Sequence, residues 1–146
     1  MKTKLMLSYG MNTNLDHMSV RCPTAVSLGS AILPGFEFVF NHHATIIPNI
    51  DKEVIGVLWE ITPTDEEMLD LIEGYPTYYD KQTIEVIYQG EVHTAMTYLM
   101  HPPNDLAMPT DHYFELILQG YMQHGISLTQ AINARARASE VEFGYN

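Results

Sequence analysis

The stretch VIGVLWEITPTDEEMLDLIEGYPTYYDKQTIEVIY, residues 54–88, carries a strand, a helix and a second strand in immediate succession. VIGVLWEI (54–61) is apolar on both of its alternating faces, the pattern of a central strand. TPTDEEMLDLIEG (62–74) switches to helical spacing. Thr64, with Glu67 three residues on, reads as a capping box, the acidic first turn suits the positive end of the helix dipole, and Gly74 supplies the C-terminal stop. KQTIEVIY (81–88) is again strand-like. Glu73 is thereby the last residue of its helix, facing the negative end of the dipole, and that placement tends to raise a carboxyl pKa.

Working outward, EVHTAMTYLM (91–100) alternates in the same way as a strand, and Gln89-Gly90 before it suits a hairpin turn. Upstream, AVSLGSAILPGFEFVFN (25–41) holds two β-rich runs around Pro34-Gly35, a dipeptide suited to a type II turn, so a second hairpin is expected there. KLMLSYG (4–10) is a short strand ending on glycine, and MNTNLDHM (11–18) is rich in turn-forming Asn and Asp, so a loop is expected over Tyr9–Asn14. Downstream of the loop HPPNDLAMP (101–109), a helix from about Thr110 to His124 puts Tyr113, Leu116, Ile117 and Tyr121 on adjoining faces. A last helix starts at Ser127 and fades near Ser139. A β-rich first two-thirds with one inserted helix, followed by two helices, reads as an α+β domain over 1–146, with a curled sheet as one arrangement.

The 146 residues suit one domain. Seven basic against 18 acidic residues give a net charge of -11, which repels nucleic acid and anionic membrane because phosphate binding depends on clustered Lys and Arg. The N-terminal apolar run is too short for a signal peptide or a membrane span, and a cytoplasmic location is expected. The single cysteine, Cys22, excludes an intramolecular disulfide and any cysteine-only metal site.

Seven histidines raise a metal site first. His42 and His43 are adjacent and point apart on a strand, and His112 and His124 lack a ligand-rich partner four residues away, so no metal is expected. Cys22 and His17 are too weak a pair on proximity alone to be read as a nucleophilic dyad, and Cys22, before Pro23, is expected to be structural. GxSxG, GxGxxG and GxxxxGK motifs are absent. Two features remain. SYGMN (8–12) is a strand-to-loop junction whose successive backbone N–H groups could form a concave anion site. Glu73 is the other, to be weighed against a solvated helix-end acid.

Together these features resemble the γ-glutamylcyclotransferase-like family. The matching residues are the YGxN loop, here Tyr9-Gly10-Met11-Asn12; GSAILPGFEFVFN (29–41); VIGVLWEI (54–61); LDLIEGYPTYYDKQTIEV (69–86), whose Glu73 falls on the family's catalytic glutamate; and PTDHYFELILQG (109–120), which carries Tyr113. The resemblance implies a small mixed β-barrel flanked by helices, with a pocket at one mouth. It implies a cofactor-independent intramolecular aminolysis of a γ-glutamyl substrate to 5-oxoproline, with Glu73 carrying the proton, the backbone of Tyr9, Gly10, Met11 and Asn12 holding an anionic group, and Tyr113 donating a hydrogen bond or forming a wall. Met11 departs from the serine common in the family. That departure favours the alternative of a non-catalytic binding module, whereas the retained Glu73 favours the enzyme. Tyr75, Tyr78 and Tyr79 are expected to pack the helix-to-strand connection and Arg21 to lie on the surface. A homo-oligomer is left open.

Overall fold

The structure, a computed structural model, describes residues 2–143. Five strands close into a barrel in the order β1-β3-β2-β4-β5, made of β1 (Lys4–Ser8), β2 (Val26–Asn41), β3 (His43–Ile61), β4 (Tyr79–Tyr88) and β5 (Glu91–Met100). The neighbouring strands are antiparallel except β1 and β5, which run parallel with Met6 opposite Met96. The barrel is therefore mixed, and four helices flank it: α1 (Leu15–Arg21), α2 (Pro63–Glu73), α3 (Asp111–Gln123) and α4 (Thr129–Phe143). The expected α+β architecture is present. The 1–146 range expected for the domain has its ends, Met1 and 144–146, outside the described residues.

Closure buries both faces of VIGVLWEI: Val54, Val57, Leu58 and Ile61 are all fully buried. Such two-sided apolarity is what a strand enclosed by helices and barrel interior requires. The β4–β5 hairpin turns at Gln89 (φ 51°) and Gly90 (φ 78°), as a two-residue turn with positive φ at both positions should.

Four expectations are corrected. Pro34-Gly35 does not reverse the chain. Both flanking runs pair with the same partner, and the register jumps from Pro34 opposite Glu53 to Phe36 opposite Pro48, with Gly35 at φ 84°. The dipeptide is thus an irregularity inside one 16-residue strand, a role glycine fills as readily as a turn. Reversal comes at His42 (φ 59°), between Asn41 and His43. Second, the β-rich first two-thirds holds two helices and not one: the loop expected over Tyr9–Asn14 ends where expected, and Asn14 caps α1, its Oδ1 accepting from the N–H groups of Asp16 and His17. Third, the capping box of α2 lies two residues earlier than read. Thr62 Oγ1 accepts from Asp65 N–H, and the Asp65 carboxylate accepts from Thr62 N–H. Pro63, lacking an N–H, suits the first helical position that this shift gives it. Finally, α4 runs to Phe143 instead of fading near Ser139: its buried face, Ala131, Ala134 and Ala138, ends where expected, and the exposed last turn is tied down by Glu142, whose carboxylate accepts from the Met108 N–H (3.2 Å).

Candidate active site

Glu73 is placed by the two ends and one flank of α2. The capping box fixes the start. Along the flank, Lys81 of β4 bridges Glu66 (2.9 Å) and Asp70 (3.0 Å), and the Tyr98 hydroxyl of β5 donates to Asp70 (2.6 Å). At the far end Gly74 adopts φ 65°, the Tyr75 N–H donates to Asp70 O (2.9 Å) and the Gly74 N–H to Leu71 O (3.3 Å). This is a Schellman closure, which satisfies carbonyls the helix would otherwise leave open. Thr77 and Tyr78 N–H groups then both donate to Gly74 O at 2.8 Å. The tight turn brings Tyr78 and Tyr79 to the same cavity as Glu73.

The other walls come from the barrel mouth. β1 ends at Ser8, and Tyr9–Asn12 leaves it into a single 3-10 turn (Met11–Thr13). Ser8 Oγ accepts from Trp59 Nε1 (2.9 Å) and donates to Asn12 O (3.1 Å), tying that turn to the barrel wall. Gly10 has no room for a side chain: a Cβ there would lie 2.9 Å from Ala44 Cβ and 3.6 Å from the Tyr113 hydroxyl. The tip of the β2–β3 hairpin folds over this mouth, where Ala44 O accepts from the Tyr79 hydroxyl (2.6 Å) and Ala44 N–H donates to the Tyr113 oxygen (2.9 Å). From α3, Tyr121 donates to Tyr9 O (2.7 Å). The resulting cavity, of about 210 Å³, is lined by Ser8 and Tyr9–Asn12, Arg21, His43, Ala44, Ile72, Glu73, Tyr78, Tyr79, Tyr98 and Tyr113.

All the expected site residues, Tyr9, Gly10, Met11, Asn12, Glu73 and Tyr113, therefore meet in one cavity. Asn12 does so through its side chain: Nδ2 donates to Glu73 Oε1 (2.8 Å), and Oδ1 accepts from Arg21 Nη1 (2.8 Å). Burial raises the Glu73 carboxyl above its ordinary range, opposed by the Asn12 hydrogen bond and by the Arg21 charge. Tyr9, Tyr79 and Tyr113 are pushed above the tyrosine range, in each case chiefly by burial, so their hydroxyls stay neutral. The Tyr113 oxygen, used as an acceptor by Ala44, keeps its proton available for another partner. His43 is lowered by burial and then by His42; its Nδ1 lies 2.7 Å from the Tyr78 hydroxyl, and its ring stands edge-on to Tyr113 at 5.1 Å. Neutral tyrosines and His43 thus line the cavity, beside Arg21, around one carboxyl whose protonated form burial favours.

Two expectations fail here. Arg21 lines the cavity instead of the surface, because α1, a helix absent from the expected elements, carries it. Asn14 caps that helix, so Arg21 falls at its end, with its guanidinium on Asn12. Tyr78 and Tyr79 line the cavity, whereas Tyr75 is 39% exposed with Lys81 over its ring. Ser8 opens the SYGMN stretch, whereas the sequence carried no sign of a cavity role for His43 or Tyr98, since their positions follow from barrel closure. Cys22 is buried, its thiol pushed up to about 11 by burial and then by Asp65, and its sulfur lies 3.7 Å from Asp65 O. This is the structural role expected of it, since a neutral, enclosed thiol is a poor nucleophile. Among the described residues no group of three or more His, Cys, Asp and Glu is arranged to hold a metal ion, and no helix is long and apolar enough to cross a membrane.

The family described as γ-glutamyl cyclotransferase, AIG2-like, matches residues 6–115. The human protein named γ-glutamylcyclotransferase is 26% identical over 138 residues, which cover 85% of this chain and 73% of the human one. A solved structure of a γ-glutamyl cyclotransferase superposes with a TM-score of 0.82 at 26% identity, over 92% of this chain and 88% of its own. The Bacillus subtilis protein YkqA shares the fold at a TM-score of 0.79 and 17% identity, over 94% of this chain and 55% of that one.

Proposed function

The chain belongs to the γ-glutamyl cyclotransferase, AIG2-like family, and from that premise we propose that it cyclises a γ-glutamyl amine or γ-glutamyl amino acid to 5-oxoproline, with Glu73 as its proton carrier. The observation that carries this reading is Glu73 itself: a carboxyl raised by burial, held by Asn12 at 2.8 Å, in a cavity walled by neutral hydroxyls.

The chemistry is redox-neutral. The substrate's α-ammonium gives a proton to Glu73, its nitrogen attacks the γ-carbonyl carbon, and a tetrahedral oxyanion forms. Collapse breaks the γ-amide C–N bond as Glu73 returns the proton to the departing nitrogen. The ammonium loses two protons in becoming a lactam N–H, and the departing amine gains two in becoming an ammonium, so the reaction balances without a co-reactant. One carboxyl suited to both directions serves, and its raised pKa brings it closer to the operating pH. Because nucleophile and electrophile share one molecule, much of the barrier is met by folding the substrate, and well-oriented intramolecular reactions reach effective molarities of about 10⁵ M or more. The neutral tyrosine and histidine walls would confine that fold. Met11 and Asn12, at the start of the 3-10 turn, offer backbone N–H groups of the kind a helix start leaves without internal acceptors, suited to a carboxylate or the oxyanion.

The test is incubation with a panel of γ-glutamyl amino acids, γ-glutamyl amines and γ-glutamyl-ε-lysine, with 5-oxoproline read by mass spectrometry. No 5-oxoproline from any member, with ligand-induced stabilisation of an unconsumed compound, would replace this reading by that of a binding module.

A further inference from the structure

Glu73 does not stand alone in its cavity; it ends a chain of three side chains that starts on α1. Arg21 Nη1 donates to Asn12 Oδ1, and Asn12 Nδ2 donates to Glu73 Oε1, both at 2.8 Å. We propose that Arg21 is a positioning residue: by occupying the Asn12 oxygen it fixes the amide so that its NH₂ group faces Glu73, and thereby sets both the aim and the proton affinity of that carboxylate. This rests on the cyclotransferase reading.

The chemistry of an amide explains why a lock is needed. Asn12 offers one acceptor and two donors on opposite sides of a nearly symmetric group, and either end could face Glu73. Flipped, the amide would set its oxygen against the carboxylate oxygen, which repels the anion. A guanidinium has donors and no acceptor, so Arg21 can bond only the amide oxygen and forces the NH₂ to the other side.

The electrostatic surroundings make Arg21 decisive. The groups facing Glu73 come from every element at the mouth: Tyr9 just after β1, Tyr78 just before β4, Tyr79 as its first residue, Tyr98 from β5, Tyr113 from α3, and His43 from β3. All of these tyrosines are pushed above their ordinary range and His43 below its own, chiefly by burial. At neutral pH these groups are uncharged, which leaves Arg21 as the cation acting on the carboxylate among the described lining residues. Its charge and the Asn12 bond both favour the ionised form that accepts the first proton.

The test compares Arg21→Ala, Arg21→Lys, Asn12→Ala and the double variant, each first checked for folding by circular dichroism. With the best-turned-over γ-glutamyl probe, Arg21→Ala should lower kcat by up to about 100-fold, the effect of ~1 Å misplacement, with KM little changed. The acid limb of the kcat/KM profile should move to higher pH, and Arg21→Lys, which keeps the charge and a donor, should return it toward wild type. Since Arg21 acts through Asn12, adding Arg21→Ala to Asn12→Ala should change kcat only slightly. A raised KM with unchanged kcat and pH limb would overturn the proposal in favour of direct substrate binding by Arg21, and so would kcat losses that multiply in the double variant. A separate readout needs no turnover: a ¹³C NMR titration of the Glu73 carboxyl, assigned by its loss in Glu73→Gln. An upward-shifted titration in Arg21→Ala supports the lock, and an unchanged one overturns it, even if no γ-glutamyl compound is consumed and the cyclotransferase reading itself fails.

Discussion

Replacing Glu73 by Gln separates what this residue does for the reaction from what it does to the fold. The amide keeps an oxygen where Asn12 Nδ2 now donates at 2.8 Å, so the hydrogen bond that aims the side chain survives. What disappears is the ability to take up and return a proton. General acid–base groups contribute roughly 10²- to 10⁴-fold, so kcat for 5-oxoproline formation is expected to fall by about that factor while KM stays within a few-fold. Stability should move the other way. Burial raises the Glu73 pKa in the folded state, so folding favours its protonated form. Its contribution is fully present below the unfolded carboxyl value of about 4.3 and is lost as pH rises through the folded-state value. At pH 7 the wild type therefore carries the cost of an enclosed anion that the glutamine variant lacks. The variant should melt at an equal or higher temperature at pH 7 to 8, with the gap closing as pH falls toward 4. The assay pairs product detection by mass spectrometry with melting curves across pH 4 to 8. Activity within a few-fold of wild type would refute the proton-carrier role. A variant clearly less stable at pH 7 would refute the claim that burial dominates the environment of this carboxyl.

Gly10→Ala should cost about 1–3 kcal/mol in urea unfolding and lower kcat/KM, because its Cβ would sit 2.9 Å from Ala44 Cβ and must push the Tyr9–Asn12 turn off the cavity; an unchanged midpoint and rate would show that the turn yields freely. Tyr113→Phe leaves the Ala44 N–H, which now donates to Tyr113 at 2.9 Å, without that acceptor, and the expected loss is about 1–3 kcal/mol, read by denaturant unfolding. Thr62→Ala removes the α2 cap bonded to Asp65 N–H and should destabilise by about 0.5–2 kcal/mol, with kcat less affected than by changes inside the cavity. Cys22, buried and with its thiol pushed up to about 11, should react with iodoacetamide at pH 8 far more slowly than free cysteine, and Cys22→Ala should retain turnover; loss of turnover in a folded Cys22→Ala would revive a thiol mechanism.

Local chemistry made much of the site legible. Glu73 could be placed at a helix end because Gly74 stops the helix whatever surrounds it, and Tyr9–Asn12 could be placed at a strand end because glycine and asparagine interrupt a short apolar run. Where two local signals compete, local pattern alone does not rank them. Thr64 and Glu67 have the spacing of a capping box, yet Thr62 and Asp65 form it, since Pro63 fits the first turn and the helix starts there. Pro34-Gly35 has the composition of a turn, but the same residues fit a break in register when both sides bond to one long partner strand.

By itself, the sequence determined the alternation of strands and helices from residue 54 onward, the doubly apolar strand 54–61, and the position of the carboxylate at the end of α2. These depend on contacts within a few residues, which periodicity and capping chemistry report directly. Only the tertiary structure decided what surrounds that carboxylate. Asn12 and Arg21 reach it across 61 and 52 residues of chain, Tyr98 enters because β5 runs parallel to β1, and the β2–β3 tip brings His43 and Ala44 over the mouth. Barrel closure set those meetings, because pairing the first strand with the last brings side chains into one small volume that no local pattern in the chain encodes. The pKa of Glu73 shows the difference: the dipole argument available from sequence named the right direction, while burial in the assembled cavity, opposed by Asn12 and Arg21, is what produces it.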